Sequence, residues 1–432
     1  MRRHHTSARC LTIGFALGLA ALGGLHPGAA RAQDRLLDLR AAGSGVGGEA
    51  VSFGGGVWQT PLPGQDSVRI RSASQLTVPF TAAVPVGRAV TVDATALYAT
   101  GAVRYAQADA SGVLRDRHAA ISGVSDVRVR VTARLLGERL VVTGGANAPT
   151  GRTSLDSAQL LAVRVLAAPA LGFAAPPIGA GPSGTLGVLA AQSIGRWAVA
   201  TGLSYEHRGT YAPVTALIAG LTSLDFTPGD VTRVSLAGDG LLAGGRLSLA
   251  LSTDFYQRDR LRGGGVLGAT TTTGGTAAPS AGVATIATVQ LGPVVSGDVQ
   301  YHAPAPALRD LLFYGGAQYR SPYARDGVRV ANTRTLYLNG GVRTLVPLAP
   351  GRDAFVGADV RYSSGIATGG GLTTTWYTAG ALTAGESQRD GRLVAQPYVR
   401  GQIGSVVGRG LDLTHDATFR GGAAGLTLLT RF

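Results

Sequence analysis

The sequence predicts an all-β protein, a transmembrane antiparallel up-and-down β-barrel of about 14 to 16 strands with a short helix in an external loop. Three observations predict this fold. Apolar and polar residues alternate with period two along nearly the whole chain, as in strands whose two faces meet different surroundings. Glycine supplies 65 of 432 residues and charged residues only 15%, which are proportions of strands and turns. The segments are about 10 to 16 residues long, whereas soluble strands average about 5 or 6.

The N-terminus predicts a segment that directs export. A basic start precedes the apolar run Cys10–Leu25, and Ala30-Arg31-Ala32 has the small-residue pattern of a cleavage site. The run is shorter than the about 20 apolar residues that a membrane helix needs. The predicted organisation is a signal peptide at 1–32, a periplasmic lead-in or small plug at 33–48, and a barrel at 49–432.

The charge balance limits the partners. All 39 basic residues are arginine, and the formal net charge is +14. A basic balance suits nucleic acid or anionic lipid. The arginines are dispersed and alternate with apolar residues, unlike the clustered patch of a nucleic-acid-binding protein. We therefore expect no nucleic-acid partner.

One face of the predicted strands is charged. In DVRVRVTARLL at 126–136, valine and leucine fall on one face and arginine on the other. Unpaired backbone groups in hydrocarbon cost several kcal/mol each, so a membrane sheet has to close. Arginine facing lipid at the bilayer midplane costs about 2 to 4 kcal/mol, so the charged face is expected to line the lumen. The predicted lumen-lining residues are Arg69, Arg71, Arg128, Arg130, Arg134, Arg343, Arg361, Arg400, Asp93, Glu206, Asp254, Asp298 and Asp359.

This charged lumen has two interpretations. Charged rings select ions by sign, which predicts a basic-leaning channel for passive uptake of small solutes. At about 14 to 16 strands the bore approaches that of porins. The alternative for the lumen is a network of arginine–carboxylate pairs that merely fills the interior. A non-conducting structural or adhesive barrel, whose interior is blocked by the loop at 149–181, is a further hypothesis.

Turn signals divide the chain into its elements. In order, the predicted strands lie near 50–59, 68–82, 89–105, 124–136, 138–148, 182–194, 196–208, 230–242, 244–258, 283–300, 309–320, 329–346, 353–365, 391–405 and 422–432. A weaker segment at 371–382 makes the count even, as two termini on the same side require. Short turns alternate with longer loops, the rhythm of periplasmic turns and external loops in outer-membrane barrels. The predicted long loops are 106–123, 149–181, 209–229, 259–280, 366–390 and 407–421.

The loop at 149–181 contains a predicted short amphipathic helix. It covers Thr153–Ala168, with Thr153 as candidate cap and Asp156 in the first turn. Two interpretations remain open with equal weight: a gate or constriction folded into the pore mouth, and a helix packed on the rim.

The last residues predict a closing strand. Leu426, Leu428, Thr430 and Phe432 share one face of a strand that would pair with the first. The terminal aromatic residue resembles the C-terminal signal of bacterial outer-membrane proteins. The resemblance implies the cell outer membrane as location, its lipid as surroundings, and the barrel-assembly machinery as a partner through Phe432.

Motifs of catalysis and cofactor binding are weak in this chain. GAGPSG at Gly179–Gly184 precedes a strand rather than the helix that a phosphate-binding loop needs, so we expect a plain loop. The histidines of the exported chain are far apart, which predicts no metal site and no cofactor.

An outer-membrane barrel enzyme, a surface hydrolase, is the alternative function. Its candidate pair is His415-Asp416 in a predicted outer loop, where histidine could activate a water. Two further carboxylates would have to converge from distant loops. We therefore predict no catalytic residue and no enzyme activity.

Two short motifs carry a resemblance to a known family. Ser125-Asp126 opens a strand, and Pro149-Thr150-Gly151 follows the next one. This pattern resembles a family of outer-membrane transporter proteins linked to the meta-pathway of phenol degradation, which is related more loosely to FadL-type channels. The resemblance implies diffusion of small hydrophobic or aromatic compounds. FadL-type channels carry an N-terminal hatch, and residues 33–48 are too short for a full one.

Overall fold

A computed structural model describes most of the chain. The described residues are 43–60, 68–109, 111–166, 178–213, 223–266, 281–305, 307–331, 333–364, 374–390, 393–409 and 414–431. The predicted signal peptide at 1–32 and the predicted assembly signal at Phe432 lie outside these residues.

The described elements are almost all strands. In chain order they are β1 Gly43–Thr60, β2 Val68–Val86, β3 Val90–Ala108, β4 Leu114–Val124, β5 Val127–Leu135, β6 Leu140–Ala148, α1 Ser157–Leu166, β7 Ser183–Ile194, β8 Trp197–Arg208, β9 Ser223–Thr227, β10 Val231–Leu242, β11 Gly245–Tyr256, β12 Arg258–Val266, β13 Ala281–Gln290, β14 Val294–Ala303, β15 Asp310–Arg320, β16 Ala324–Arg325, β17 Val328–Arg329, β18 Thr335–Ala349, β19 Arg352–Ser364, β20 Thr374–Asp390, β21 Leu393–Arg409 and β22 Thr414–Arg431. Among the described residues no helix is long and apolar enough to cross a membrane.

The main sheet is antiparallel and closes on itself. Strand β22 pairs with β1 from Gly43↔Arg431 to Gly54↔Arg420. Strands β4 and β5 share one position in the ring, because both pair with β3. Strand β4 pairs with Tyr98–Ala108 of β3, and β5 pairs with Val90–Thr95. The order around the ring is β1, β2, β3, β4 with β5, β6, β7, β8, β10, β11, β14, β15, β18, β19, β20, β21 and β22, which gives sixteen positions. The predicted barrel is confirmed, and residues 374–382 of the weak segment at 371–382 belong to strand β20.

The two ends of the barrel differ. One end carries tight turns, such as Ala243-Gly244 between β10 and β11, where both residues have positive φ. Two residues of positive φ match the twist of a two-residue hairpin, and glycine adopts the second conformation without strain. The paired strand ends Gly43 and Arg431 lie at this same end. The other end carries the long connections.

Several predicted boundaries are wrong. Residues 43–48 of the predicted lead-in at 33–48 belong to strand β1 of the sheet. Strands β3, β4, β20 and β22 run through much of the predicted loops 106–123, 366–390 and 407–421. In β3, β4 and β22 backbone pairing continues beyond the thickness of a bilayer, and the sequence loses its period-two alternation because the outward residues there no longer face lipid. Strand β20 instead crosses the bilayer, and its outward face combines Leu382 with the small residues Gly380 and Ala384, which weakens the apolar pattern.

The outer face of the ring is apolar. Residues directly opposite each other on paired strands share a face, and large exposed apolar side chains fall on the same face around the whole ring. Examples are Leu76, Phe80, Leu186, Leu203, Leu236, Leu251, Phe313, Val360, Leu382, Ile403 and Leu426, which are 41–69% exposed. A band of this extent is far larger than the apolar patches of water-soluble monomers. The closed sheet is therefore a transmembrane β-barrel whose outer face contacts lipid.

A second, five-stranded sheet stands at the loop end. It joins β17, β16, β13, β12 and β9 in that order. One of its faces carries an apolar cluster of buried residues, and three tyrosines pack against it. The cluster consists of Leu224, Phe226, Leu261, Val289 and Leu291, with Tyr211, Tyr256 and Tyr323 around it.

Candidate functional site: the barrel lumen

The inner wall is the face opposite the apolar band. Register follows it from strand to strand: Ala83 of β2 lies opposite Asp93 of β3, which lies opposite Arg130 of β5, which lies opposite Gly145 of β6. Several polar and charged residues on this face are buried, such as Asp93 and Arg361. The concave side of a closed sheet is thus both polar and crowded.

Most of the predicted lumen residues fall on the inner wall. The register places there Arg128, Arg130, Arg134, Arg343, Arg361, Arg400, Asp93, Glu206, Asp254, Asp298 and Asp359.

The prediction is wrong for Arg71, which does not lie on the inner wall. A bulge between Ile70 and Ser72 shifts the register of β2. The Arg71 Nε atom donates to Oδ1 of Asp116 at 2.9 Å on the outer side of the sheet, where both side chains are largely exposed. Arg69 lies opposite Ala106, and its side chain is outside the described part of the chain. The inner wall at this level is instead apolar, because Ile70 turns inward against the helix.

Two arginines bind one carboxylate of the inner wall, and a third arginine lies on the same part of the wall. Both Asp359 oxygens accept from Nη2 of Arg400 at 2.7 Å, and Oδ1 also accepts from Nε of Arg361 at 3.1 Å. The guanidinium carbon of Arg343 lies 4.4 Å from the ring centroid of Phe355, a cation–π distance. Arg343 of β18 and Arg400 of β21 occupy the same cross-strand row, with two strands between them. This part of the wall carries more positive than negative charge.

Other inner carboxylates are paired as well. Asp254 accepts both from Nε of Arg233 at 2.6 Å and from Nη2 at 2.8 Å, a bidentate pair. Asp93 accepts from Nε of Arg130 at 2.9 Å. The predicted lumen set omitted Arg233, although its inward side chain alternates with the outward Val234 and Leu236, as the chosen arginines alternate with their apolar neighbours. The period-two pattern of its own strand was the signal that could have found it.

Helix α1 begins later than predicted. Oδ1 of Asp156 accepts from the backbone N–H of Gln159 at 2.8 Å, and Oε1 of Gln159 accepts from the backbone N–H of Asp156 at 3.2 Å. This reciprocal arrangement is a capping box, with Asp156 as N-cap. Thr153 is therefore not the cap, and the helix spans Ser157–Leu166.

The helix lies inside the barrel. Its Leu161, Ala162, Val163, Val165 and Leu166 are buried at 3% exposure or less. They pack in one cluster with inner-wall residues of β2, β3, β4 and β22, namely Ile70, Ala73, Val103, Tyr105, Ala119, Ile121 and Ala423. On β3, a side chain at Gly101 would collide with Leu166, so the glycine allows the helix to pack against this strand. The structure thus places α1 in the lumen rather than on the rim.

A single carboxylate ties down both ends of the loop that carries α1. Asp126 is 5% exposed and stands between β4 and β5. Its oxygens accept from the backbone N–H of Gly151 at 2.8 Å, from the backbone N–H of Ala180 at 2.7 Å and from Nδ2 of Asn147 at 2.9 Å. A Cβ atom on Gly179 would lie 2.6 Å from Oδ1 of Asp126. The glycine-rich segment 179–184 thus approaches a carboxylate of its own chain. We call this arrangement the Asp126 clamp.

The neighbouring Ser125 completes the junction. Its Oγ accepts from the backbone N–H of Leu97 at 3.0 Å. Oγ1 of Thr150 donates to the carbonyl oxygen of Ser125 at 3.2 Å and accepts from the backbone N–H of Val127 at 3.0 Å. The Ser-Asp and Pro-Thr-Gly motifs therefore meet in space, at the break that separates β4 from β5.

The second sheet carries a buried acid near the pore mouth. Burial raises the pKa of Asp259 to about 6, although its Oδ1 accepts from the backbone N–H of Gly229 at 2.6 Å. Burial, together with the charge of Asp259, also raises the pKa of Tyr211. Tyr211 packs edge-on against Phe226 with ring centroids 5.6 Å apart, and it closely approaches Gly181 at the end of the α1 loop.

The candidate hydrolase pair is not in a loop. The backbone of His415 and Asp416 belongs to β22, opposite Gly408 and Val407 of β21, and their side chains lie outside the described part. Within the described residues, no group of three or more His, Cys, Asp and Glu side chains is placed to hold a metal ion.

The fold and its two walls define a bacterial outer-membrane β-barrel, and the protein is located in the outer membrane. No family model and no curated protein matches the chain.

Solved outer-membrane channels resemble the chain weakly. OprB of Pseudomonas putida is 11% identical over 93% of this chain and 96% of its own, with a TM-score of 0.44. OccK1 (OpdK) of Pseudomonas aeruginosa is 13% identical over 90% and 98%, with a TM-score of 0.40. Another outer-membrane channel of Pseudomonas putida is 12% identical over 91% and 96%, with a TM-score of 0.31. Likeness of this strength carries no argument about function.

Proposed function

We propose that this protein is an outer-membrane channel through which small solutes diffuse passively, with a preference for anions. One observation carries the proposal: a closed sheet of sixteen positions has an apolar outer face and an arginine-rich inner wall. A barrel of this size approaches the bore of porins, which enclose an aqueous channel. Since charged walls select ions by sign, the arginines would favour anions. The proposal assigns no catalytic residue.

The loop that carries α1 acts as a constriction in this proposal. It occupies the outer half of the lumen against β2, β3 and β4, and the Asp126 clamp fixes both of its ends. A helix held this firmly narrows the passage permanently and sets the largest solute that passes. It does not act as a lid that opens and closes.

The solutes in this proposal include small aromatic compounds. This part of the proposal is based on the family resemblance of the Ser-Asp and Pro-Thr-Gly motifs, and aromatic residues of the inner wall support it. Phe355 covers Gly385, and Tyr398 covers Gly425 on the neighbouring strands. Their rings line the same part of the wall as Arg343 and Arg400, so a small aromatic compound would meet both stacking surfaces and positive charge.

Planar-bilayer recording tests the proposed channel. The refolded protein should produce discrete conductance steps, and its reversal potential in a KCl gradient should show chloride crossing more easily than potassium. The absence of steps from correctly folded protein would favour the non-conducting structural barrel. Cation preference would refute the role assigned to the arginines. Block of the current by benzoate, with acetate as the non-aromatic control, tests the preference for aromatic compounds.

A further inference from the structure

Three arginines form a stripe on β12 at the loop end of the barrel. Arg258, Arg260 and Arg262 are exposed, whereas the intervening Asp259 and Leu261 are 4% and 2% exposed. This alternation places the three arginines on one face of the second sheet. We call Arg258, Arg260 and Arg262 the arginine stripe.

The arginine stripe faces away from the pore axis. The buried Leu261 on the opposite face packs in the apolar cluster with Tyr256 and Tyr211. Tyr256 lies opposite Val231 on the inner wall, and Tyr211 touches the α1 loop inside the lumen. Since the cluster face looks toward the pore, the arginine face looks outward.

The stripe continues the lipid-facing surface of the barrel. Leu249, Leu251 and Phe255 of β11 are exposed apolar residues of the outer face, and β12 follows β11 after Gln257. At about 3.3 Å per residue, Arg258 stands within about 10 Å of Phe255. The stripe therefore begins where the hydrocarbon ends and extends into the layer of lipid headgroups.

Charge on this face is positive on balance, although Asp225 lies opposite Arg262 and Asp326 accepts hydrogen bonds from Thr288, which lies opposite Arg260. None of the three arginines forms an ion pair within the described part of the chain, in contrast to Arg233 or Arg400. The register aligns Arg258 with Gln290, Ala324 and then Arg329 on β17, which adds a further cation to the same face. Like charges close together on a sheet are destabilising unless an anion lies between them.

We propose that the arginine stripe binds the phosphate groups of the anionic glycolipid in the outer leaflet. Guanidinium groups match phosphate oxygens in a bidentate geometry, and the stripe lies at the depth where these phosphates lie. The apolar residues of β11 contact the acyl chains of the same lipid molecule. The stripe therefore fixes a layer of lipid around the rim on the side of the second sheet.

Binding of diphosphoryl lipid A to the purified barrel in detergent tests this proposal. Arg258→Gln, Arg260→Gln and Arg262→Gln are combined in one variant. Each arginine near a charged membrane surface contributes roughly fivefold in affinity, so the triple variant should bind about a hundredfold more weakly. A second variant with lysine at the three positions keeps the charge and should retain most of the affinity.

The matched control removes the same charge at the opposite end. Arg88, Arg139 and Arg196 are exposed in the short turns, and their combined replacement by glutamine should leave binding unchanged. The mobility of unheated and heated protein is compared on SDS gels, which verifies that every variant forms the barrel. The proposal is overturned if the stripe variant binds as wild type does, or if the control weakens binding equally. Equal binding of dephosphorylated lipid A, or of inorganic phosphate alone, would overturn it as well.

Discussion

At the scale of single residues, Asp126 holds the loop that carries α1. Its removal by Asp126→Ala leaves the N–H groups of Gly151 and Ala180 and the amide of Asn147 without their acceptor. Hydrogen bonds to charged groups contribute about 1.5 to 3 kcal/mol each, so we expect the loop to come loose while the barrel remains closed. Limited proteolysis should then cut the segment 149–182 much faster than in the wild type.

The control for this experiment is Asp116→Ala, which removes an exposed ion pair with Arg71. Exposed pairs contribute about 0 to 1 kcal/mol, so this variant should be cut like the wild type. Gly179→Ala should behave like Asp126→Ala, because its Cβ would lie 2.6 Å from Oδ1 of Asp126 and 2.9 Å from the Gly151 carbonyl oxygen. Equal cutting of all variants would contradict the clamp.

Asp259 predicts a pH dependence of the second sheet. Burial raises its pKa from 3.8 to about 6, so the folded sheet binds the proton more tightly than the unfolded chain does. This contribution to stability is complete below pH 3.8 and is lost as the pH rises through about 6, and it amounts to roughly 3 kcal/mol. Asp259→Asn should abolish the loss, because asparagine stays neutral and can still accept from Gly229.

Hydrogen exchange of the Leu261 and Val289 amides, corrected for intrinsic rates, measures this effect. Protection in the wild type should fall between pH 4 and 7, and protection in Asp259→Asn should stay constant. Asp225→Asn removes a charge from the same sheet and should keep the wild-type fall. A constant protection in the wild type would contradict the assigned role of Asp259.

Helix α1 is the element that narrows the pore. Gly101→Val on β3 fills the space of Leu166 without altering the helix sequence, and overpacking of this kind costs about 1 to 3 kcal/mol. The helix should shift from the wall, and single-channel conductance should become larger or noisier. Gly144→Val lies on the outer face with open space around its Cβ position, so it should conduct as wild type. Equal conductance of both variants would show that α1 does not limit the current.

The elements differ in how well the sequence predicts them. Strand β5 is clear, because valine, alanine or leucine faces lipid and arginine or threonine faces the lumen at every step. The outer parts of β4 and β22 are not, because neither face meets lipid there, and β20 is unclear because the small residues Gly380 and Ala384 interrupt its lipid face. The inward turn of Ile70 depends on a bulge, which no alternation reveals. The Asp126 clamp joins residues 54 positions apart, so the motifs alone could not show that they meet.

At the scale of the whole molecule, the proposed channel depends on which face of the sheet contacts lipid and which lines the lumen. Strand β10 tests it, because Ser235 and Ala237 face inward while Val234 and Leu236 face lipid. The only cysteine of the chain is Cys10, so single cysteines can be introduced at these four positions without interference from elsewhere in the barrel.

Labelling of these four single-cysteine variants in lipid vesicles is the most direct measurement. A charged, water-soluble thiol reagent should modify positions 235 and 237 and leave 234 and 236 unmodified, because the latter lie in hydrocarbon. A lipid-borne quencher should show the reverse pattern with a fluorescent label. Uniform labelling along β10, or reaction only at 234 and 236, would contradict a lipid-embedded barrel with its charged wall inside.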